Sequence, residues 1–257
     1  MKRTGVLCLL LALFSPALTH AENSVVNLSH YDEAHPAWRQ MTHEGVIGAI
    51  HEATYPIRSV DTSYGLRQIE AVGAGLYWGA YHFGDATDPV RQADHYLDTV
   101  ARNWRMLGPG PHPPGVLLVL DFEQNTHYPG GTMRVDQAAA FVKRVHDRTG
   151  RYPGLYSSEN RIQTILNSPQ VTPATRQTLL NCWLWIANYH HTPGKTAPWR
   201  EWDLWQYTGD GICDLPRKAY PTTAANVRKC ERDIFHGSTN ELRAFWRRNG
   251  WDPSLSN

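Results

Sequence analysis

Cysteine is scarce in this chain, four residues in 257, and none has the close pairing of a zinc site. The thirteen histidines form no H-E-x-x-H or other metal signature, and His190-His191 reads as a surface loop pair rather than a ligand set. No metal and no organic cofactor is therefore expected. An excess of charge of one sign is also missing, with 25 basic against 24 acidic residues; without a basic stripe, nucleic acid is not an expected partner. Long hydrophobic runs are absent too. The apolar stretch from Gly5 to Phe14 falls short of the roughly 20 residues that a membrane span requires, and nothing later approaches that length. Internal repeats and low-complexity segments are lacking, and no pattern marks a protein partner such as an inhibitor or immunity protein.

The short apolar stretch has a different reading. Lys2 and Arg3 precede it, and Thr19-His20-Ala21 supplies small residues for a peptidase. These features predict a signal peptide over residues 1–21 and export to the periplasm or beyond. Residues 22–257 are long enough for one barrel domain and its core, with 23 basic against 24 acidic residues once Lys2 and Arg3 are gone. Cys8 leaves with the leader. Three cysteines remain in an oxidising compartment, so at most one internal bridge can form. Cys213 and Cys230 flank a loop rich in Pro, Thr, Ala and Lys and are expected to pair, while Cys182, in the apolar segment Cys182-Trp-Leu-Trp-Ile186, is expected as a buried free thiol.

What the chain does contain is one acidic pair in an unusual place. The apolar run from Val116 ends in Val119-Leu-Asp-Phe-Glu123, and residues two apart on a strand project to the same face. Asp121 and Glu123 should therefore share one site at the strand's carboxyl end. In a strand buried on both faces, desolvation and like-charge repulsion push one carboxyl pKa up while its neighbour stays ionised. Glycoside hydrolysis needs that combination, a proton donor for the leaving oxygen and a carboxylate to stabilise developing positive charge. A D-x-E triplet alone is common and is more often a solvated strand end. Acidic residues are nevertheless depleted in strands, and a pair after so apolar a run reads as a site in an α/β barrel. Ten tryptophans and twelve tyrosines fit a sugar cleft, although core packing accounts for most such rings.

Strand signals at Val25–Leu28, Val46–Ala53, Gly75–Phe83, Val116–Phe122, Gly154–Tyr156, Trp183–Ala187 and Asp203–Tyr207, with a last one near Cys230–Phe235, alternate with helical spacing. Helices are expected over Ser63–Ala74, Pro89–Trp104, Arg134–Thr149 ending at Gly150, Ser158–Leu166 and Thr239–Arg248. Helix signals thin out after Ser158. The fold class is α/β, an irregular TIM-like (β/α) barrel with a reduced helical second half.

Six strand ends then line up with one known family. Asn27-Leu-Ser-His-Tyr31, Gly79-Ala-Tyr-His-Phe83, Leu120-Asp-Phe-Glu123, Leu184-Trp-Ile-Ala-Asn-Tyr189, Leu204-Trp-Gln-Tyr-Thr208 and Glu231-Arg-Asp-Ile-Phe-His-Gly237 occur in the order found in glycoside hydrolase family 25, which the chain resembles from about Val25 to Trp246. That resemblance implies a muramidase-type lysozyme, acting on peptidoglycan glycan strands at the β-1,4 bond between N-acetylmuramic acid and N-acetylglucosamine. It matches Glu123 to the general acid and Asp121 to the carboxylate that orients the 2-acetamido group or stabilises the oxocarbenium-like centre. It also places Asn27, Tyr81, His82, Asn188, Trp205, Gln206, Glu231 and Asp233 among the substrate-binding positions.

Two departures accompany the match. Asn27 stands where the family has Asp, and Glu52-Ala-Thr-Tyr-Pro56 where the family has a Lys-Ala-Thr-Glu-Gly-like segment. Asn27 keeps hydrogen-bonding capacity but adds no negative charge. Three readings follow: a muramidase, favoured by the intact Asp121/Glu123 pair; a glycan-binding protein with weak or no catalysis, favoured by Asn27 and Tyr55; and a hydrolase of another N-acetylglucosamine polymer such as chitin.

Overall fold

The computed structural model describes residues 22–255 apart from 33, 111 and 170, so the leader assigned to residues 1–21 lies outside the described residues. In chain order the elements are β1 (Glu22–Leu28), α1 (Trp38–His43), β2 (Gly48–Tyr55), β3 (Ser59–Val60), α2 (Tyr64–Gly73), β4 (Tyr77–Phe83), α3 (Pro89–Arg105), β5 (Val116–Asp121), α4 (Val135–Thr149), β6 (Gly154–Ser158) and α5 (Glu159–Arg161). A π-helical turn (Ile162–Leu166) continues α5, followed by α6 (Pro173–Leu180), β7 (Trp183–Ala187), β8 (Leu204–Thr208), β9 (Glu231–Phe235) and α7 (Thr239–Asn249). Local chemistry sets several boundaries. Asp88 accepts the amides of Val90 and Arg91 ahead of Pro89 to start α3, Ser238 and Glu241 form a capping box at α7, and α4 stops at Gly150, whose φ of 68° is left-handed.

Eight of the strands close into a barrel in the order β1-β9-β8-β7-β6-β5-β4-β2, with β1 pairing back onto β2 and β3 appended to the outside of β2. Seven run parallel; β9 is antiparallel to both of its neighbours, β8 and β1. The expected TIM-like architecture is therefore present. The second half is irregular as expected, but unevenly so. Helix returns between β6 and β7, where α6 was not foreseen because its weakly apolar face gives little periodic signal, and it is missing from β7 through β9. Short α1 and two-residue β3 also carried too few residues to register as a pattern.

Alternation along the strands divides the apolar residues into two cores. Val25, Ile50, Leu117, Val119 and Trp185 fill the barrel, together with Leu242, Phe245 and Trp246 from α7. Val26, Trp78, Leu118, Leu120 and Ile186 face outward onto the helices, against Tyr96, Phe141 and Val142. Helix α7 thereby plugs the end of the barrel opposite the strands' carboxyl termini, and the Trp246 indole donates to the Trp78 carbonyl at 2.9 Å.

The pairing expected between Cys213 and Cys230 is not formed. Cys182, Cys213 and Cys230 are all free thiols. Cys213 Sγ lies 3.9 Å from the Leu215 carbonyl and Cys230 Sγ 3.5 Å from that of Glu231. The intervening loop is held without a bridge, through Arg217 to the Gly211 carbonyl at 2.8 Å, the Tyr207 hydroxyl to the Pro221 carbonyl at 2.6 Å and Arg232 to the Thr223 carbonyl at 2.9 Å.

The fit of the plug generates a prediction. A Cβ at Gly48 would lie 2.5 Å from the Trp246 ring, so β2 can pass the indole only without a side chain at this position. Gly48→Ala should cost about 1–3 kcal/mol of stability through overpacking, read as a lowered midpoint in urea denaturation; an unchanged midpoint would show that Trp246 moves freely.

Candidate active site

The barrel's open mouth lies at the carboxyl ends of its parallel strands, where a cleft of about 1140 Å³ is found. Strand register brings its residues together. Asp121 is paired with Phe83 of β4 and Tyr156 of β6, Glu52 with Tyr81, and Asn27 with Glu231. Because β9 is antiparallel, its first residue, Glu231, reaches the rim that the other strands reach with their last. Asp121, Glu123, Glu52, Glu231, Tyr81 and Asn27 all line the cleft. The two carboxylates of the D-x-E triplet do share one site, although β5 ends at Asp121 and Glu123 follows just beyond it.

The cleft holds far more negative than positive potential charge. Burial raises the Asp121 carboxyl well above the usual range, and the neighbouring Glu123, Glu52 and Glu231 raise it further. Glu123 is also raised by burial, with the Arg161 guanidinium pulling the other way. Glu52 is pushed up to about 8 by burial and by Asp61, and Glu231 goes well above the usual range through burial and Asp32. These directions all favour the protonated forms, and Asp121 and Glu123, two residues apart, titrate as a pair. Arg161 is fixed behind the pair. Its Nε donates to the Phe122 carbonyl at 3.0 Å, its Nη2 to that of Met133 at 2.8 Å, and its charge sits 4.0 Å from the centre of the Phe122 ring. Asp121 Oδ1 is buried and accepts no hydrogen bond, an expensive state unless something else supplies the donor.

Beneath this wall runs a polar floor. Asn27 Nδ2 donates to Asp233 Oδ2 at 3.0 Å, and the Trp185 indole donates to Asp233 Oδ1 at 2.7 Å. Gln206 Nε2 donates to Asn27 Oδ1 at 3.3 Å while Gln206 Oε1 accepts from the Tyr156 and Tyr189 hydroxyls. Gln206 and Asp233 thus buttress Asn27 instead of lining the cleft, and burial lifts Asp233 to about 7.

Three expected site residues lie elsewhere. His82 faces the outer layer, fully buried, with Nδ1 2.8 Å from the Thr54 hydroxyl, Nε2 2.9 Å from Gln92 Oε1 and its ring stacked on Phe141 at 5.2 Å. Burial lowers its pKa to about 4, so it is a neutral strut. Trp205 also packs outward, its indole donating to the Asn188 carbonyl at 2.6 Å, and Asn188 Nδ2 is spent on Glu159 at 3.0 Å. The reason is strand alternation: Tyr81 and Gln206 point inward, so their neighbours His82 and Trp205 must point out. Sequence reasoning missed Glu52, which shares the parity of inward-facing Ile50, and Tyr156 and Trp185, which share the parity of their strands' inward rows. Arg161 had no signal in its own segment, because its partners are carbonyls brought near by folding.

Residues 26–214 match the family model described as glycosyl hydrolases family 25. The fold is similar to that of a bacterial lysozyme from Streptomyces coelicolor, with a TM-score of 0.64 and 22% identity over 88% of this chain and 97% of that one. A muramidase from Trichobolus zukalii gives a TM-score of 0.63 and 21% identity over 87% and 98% of the two chains. One from Acremonium alcalophilum gives 0.61 and 23% over 87% and 98%. No curated protein matches the sequence.

The polar floor makes the neutral amide at position 27 a structural requirement. Asn27→Asp would set two carboxylates in contact where the amide now donates to Asp233, and one of them must hold a proton. A raised carboxyl pKa in the folded state makes stability fall as pH rises through that value. Asn27→Asp should therefore be about 1–3 kcal/mol more destabilising near pH 8 than near pH 5, measured by thermal unfolding against wild type; an equal cost at both would disprove this account of the floor.

Proposed function

We propose, from the premise that this chain belongs to glycosyl hydrolases family 25, that it is a peptidoglycan hydrolase that cuts the β-1,4 bond between N-acetylmuramic acid and N-acetylglucosamine. The observation that carries the reading is that Asp121 and Glu123, both raised by burial, line the same cleft at the barrel mouth. A 2-acetamido N–H on the bound sugar would donate to the Asp121 carboxylate where that residue lines the cleft. Accepting it favours the ionised form of Asp121 and leaves the pair's shared proton on Glu123. Glu123 then protonates the leaving glycosidic oxygen as the C1–oxygen bond breaks, and the acetamido carbonyl oxygen, held by Asp121, bonds to C1 on the opposite face. Water displaces that oxygen in the second half, giving up its proton to the Glu123 carboxylate. Two carboxylates two residues apart at the end of one strand suit this substrate-assisted course better than opposed acid and nucleophile, which must flank the sugar.

Asn27 and Glu231, register partners on β1 and β9, line the same cleft as Tyr81. Asn27 is already hydrogen-bonded to Asp233 and Gln206, which supports a positioning role in place of an added negative charge. A wall-glycan substrate lies outside the cytoplasm, in keeping with export by the leader over residues 1–21 to the periplasm or medium. Among the described residues no helix is long and apolar enough to cross a membrane.

Glu123→Gln should retain binding to purified peptidoglycan while turnover falls by about 10²–10⁴-fold, and Asp121→Asn should lower turnover as well. Mass analysis of wild-type products should find N-acetylmuramic acid at the new reducing ends, with chitin left intact. Undiminished turnover in Glu123→Gln would remove the acid assignment; release from chitin but not from peptidoglycan would overturn the substrate.

A further inference from the structure

Behind the β2 side of the cleft, three side chains converge whose chemistry the glycan reading does not use. His30 lies on the loop after β1, Glu52 near the end of β2, and Asp61 just after β3, where its amide bonds the Ala53 carbonyl at 3.1 Å. His30 Nδ1 is 2.6 Å from Glu52 Oε2 and 3.4 Å from Asp61 Oδ2. One ligand atom from each of the three lies within 4.8 Å of the others. We propose that His30, Glu52 and Asp61 form a binding site for one divalent first-row transition ion, of the zinc or manganese kind.

The charges and hydrogen bonds around the cluster point the same way. Asp61 is buried, its Oδ1 accepts the Ser63 amide at 2.8 Å, and its Oδ2, aimed into the cluster, accepts no hydrogen bond. One imidazole proton at Nδ1 cannot satisfy both carboxylates, and Glu52 has it at 2.6 Å. The nearest fixed cation, Arg67, is spent elsewhere: it donates to the backbone carbonyls of Ser29 and Asp32 and sits 3.0 Å from His51 Nε2. His51 is no substitute donor, since its Nδ1 faces the Glu52 carbonyl at 2.8 Å and is 3.8 Å from Asp61 Oδ2. Among the described residues neither carboxylate pairs with a lysine or arginine, so two buried acids face a single imidazole.

An ion would replace the proton that His30 and Glu52 share. Around a tetrahedral ion with bonds of about 2.0–2.2 Å, ligand atoms sit about 3.3–3.6 Å apart; His30 and Asp61 already have that spacing at 3.4 Å, and the His30–Glu52 contact of 2.6 Å would open by about 1 Å. An imidazole with two carboxylates suits a borderline ion of this class. The outer shell is in place, because Arg67 pins the backbone at Ser29 and Asp32, to either side of His30, while the His30 ring stacks on Tyr55 at 4.9 Å. Such outer contacts orient ligands and strengthen binding.

Binding is measured without any glycan, so its outcome is independent of the hydrolase assignment. The full chain, stripped with EDTA, is titrated calorimetrically with zinc chloride and with manganese chloride. One ion per chain should bind with low-micromolar affinity or tighter and raise the thermal midpoint. Asp61→Asn and His30→Gln should each weaken binding by at least the roughly 10–100-fold that loss of an outer-shell partner costs, whereas His190→Gln, in the exposed pair with Asp214, should bind as wild type. Asp61→Asn keeps the side chain's shape, so it remains informative if His30→Gln does not fold, and anomalous scattering from zinc-loaded crystals should locate the ion between the three residues. Absence of saturable binding up to about 1 mM, or affinity unchanged in Asp61→Asn, would overturn the proposal.

Discussion

Closure of the sheet is the constraint on which the rest of the molecule depends. Once β1 is bonded to both β2 and β9, each barrel strand has two neighbours, and a one-residue slip in any of them would turn its inward row onto the helices. The inward row is where the polar chemistry lies. Asn27, Glu52, Tyr81, Asp121 and Glu231 meet because five separate strands keep register, not because any local sequence brings them together. The plug formed by Trp246 works from the other end, filling the barrel so that the polar layer sits on a packed floor.

Charge is the second theme. A mouth built from converging strand ends concentrates whatever those ends carry, and here they carry carboxyls with Arg161 as the fixed counter-charge behind Asp121 and Glu123. Burial alone would leave such a cluster mostly protonated. Arg161 pulls both carboxyls down, while Glu52 and Glu231 push Asp121 up further, which separates two carboxyls that are chemically alike and two residues apart. The amide at Asn27 fits the same logic, since it donates to Asp233 where another acid could only compete for a proton.

Much of this was legible beforehand. Trp183–Ala187 was bounded to the residue, and the D-x-E triplet located the cleft, because a strong apolar run and an acidic break are both local signals. His82 and Trp205 were misplaced for a definite reason: a motif gives a residue's position along a strand, whereas its side is set by parity with its neighbours. Glu52 had been counted as a departure from a family pattern, yet its own parity put it in the cleft. The bridge expected from Cys213 to Cys230 failed differently, since loop composition says nothing about where two sulfurs point, and hydrogen bonds already close that loop. Arg161 was illegible in principle; its role exists only after α5 has been laid against the end of β5.

The antiparallel strand that completes the barrel also determines when the barrel can exist. Asn27 and Asp233, hydrogen-bonded in the floor, are 206 positions apart in the chain, so the first strand waits for the last described strand before its second edge is covered. Contacts of such long range slow folding and keep nascent chains open. During synthesis, every strand from β2 to β8 can emerge and begin to pair while the polar mouth is still unformed. The mouth is therefore assembled late and all at once, only after β9 has been made.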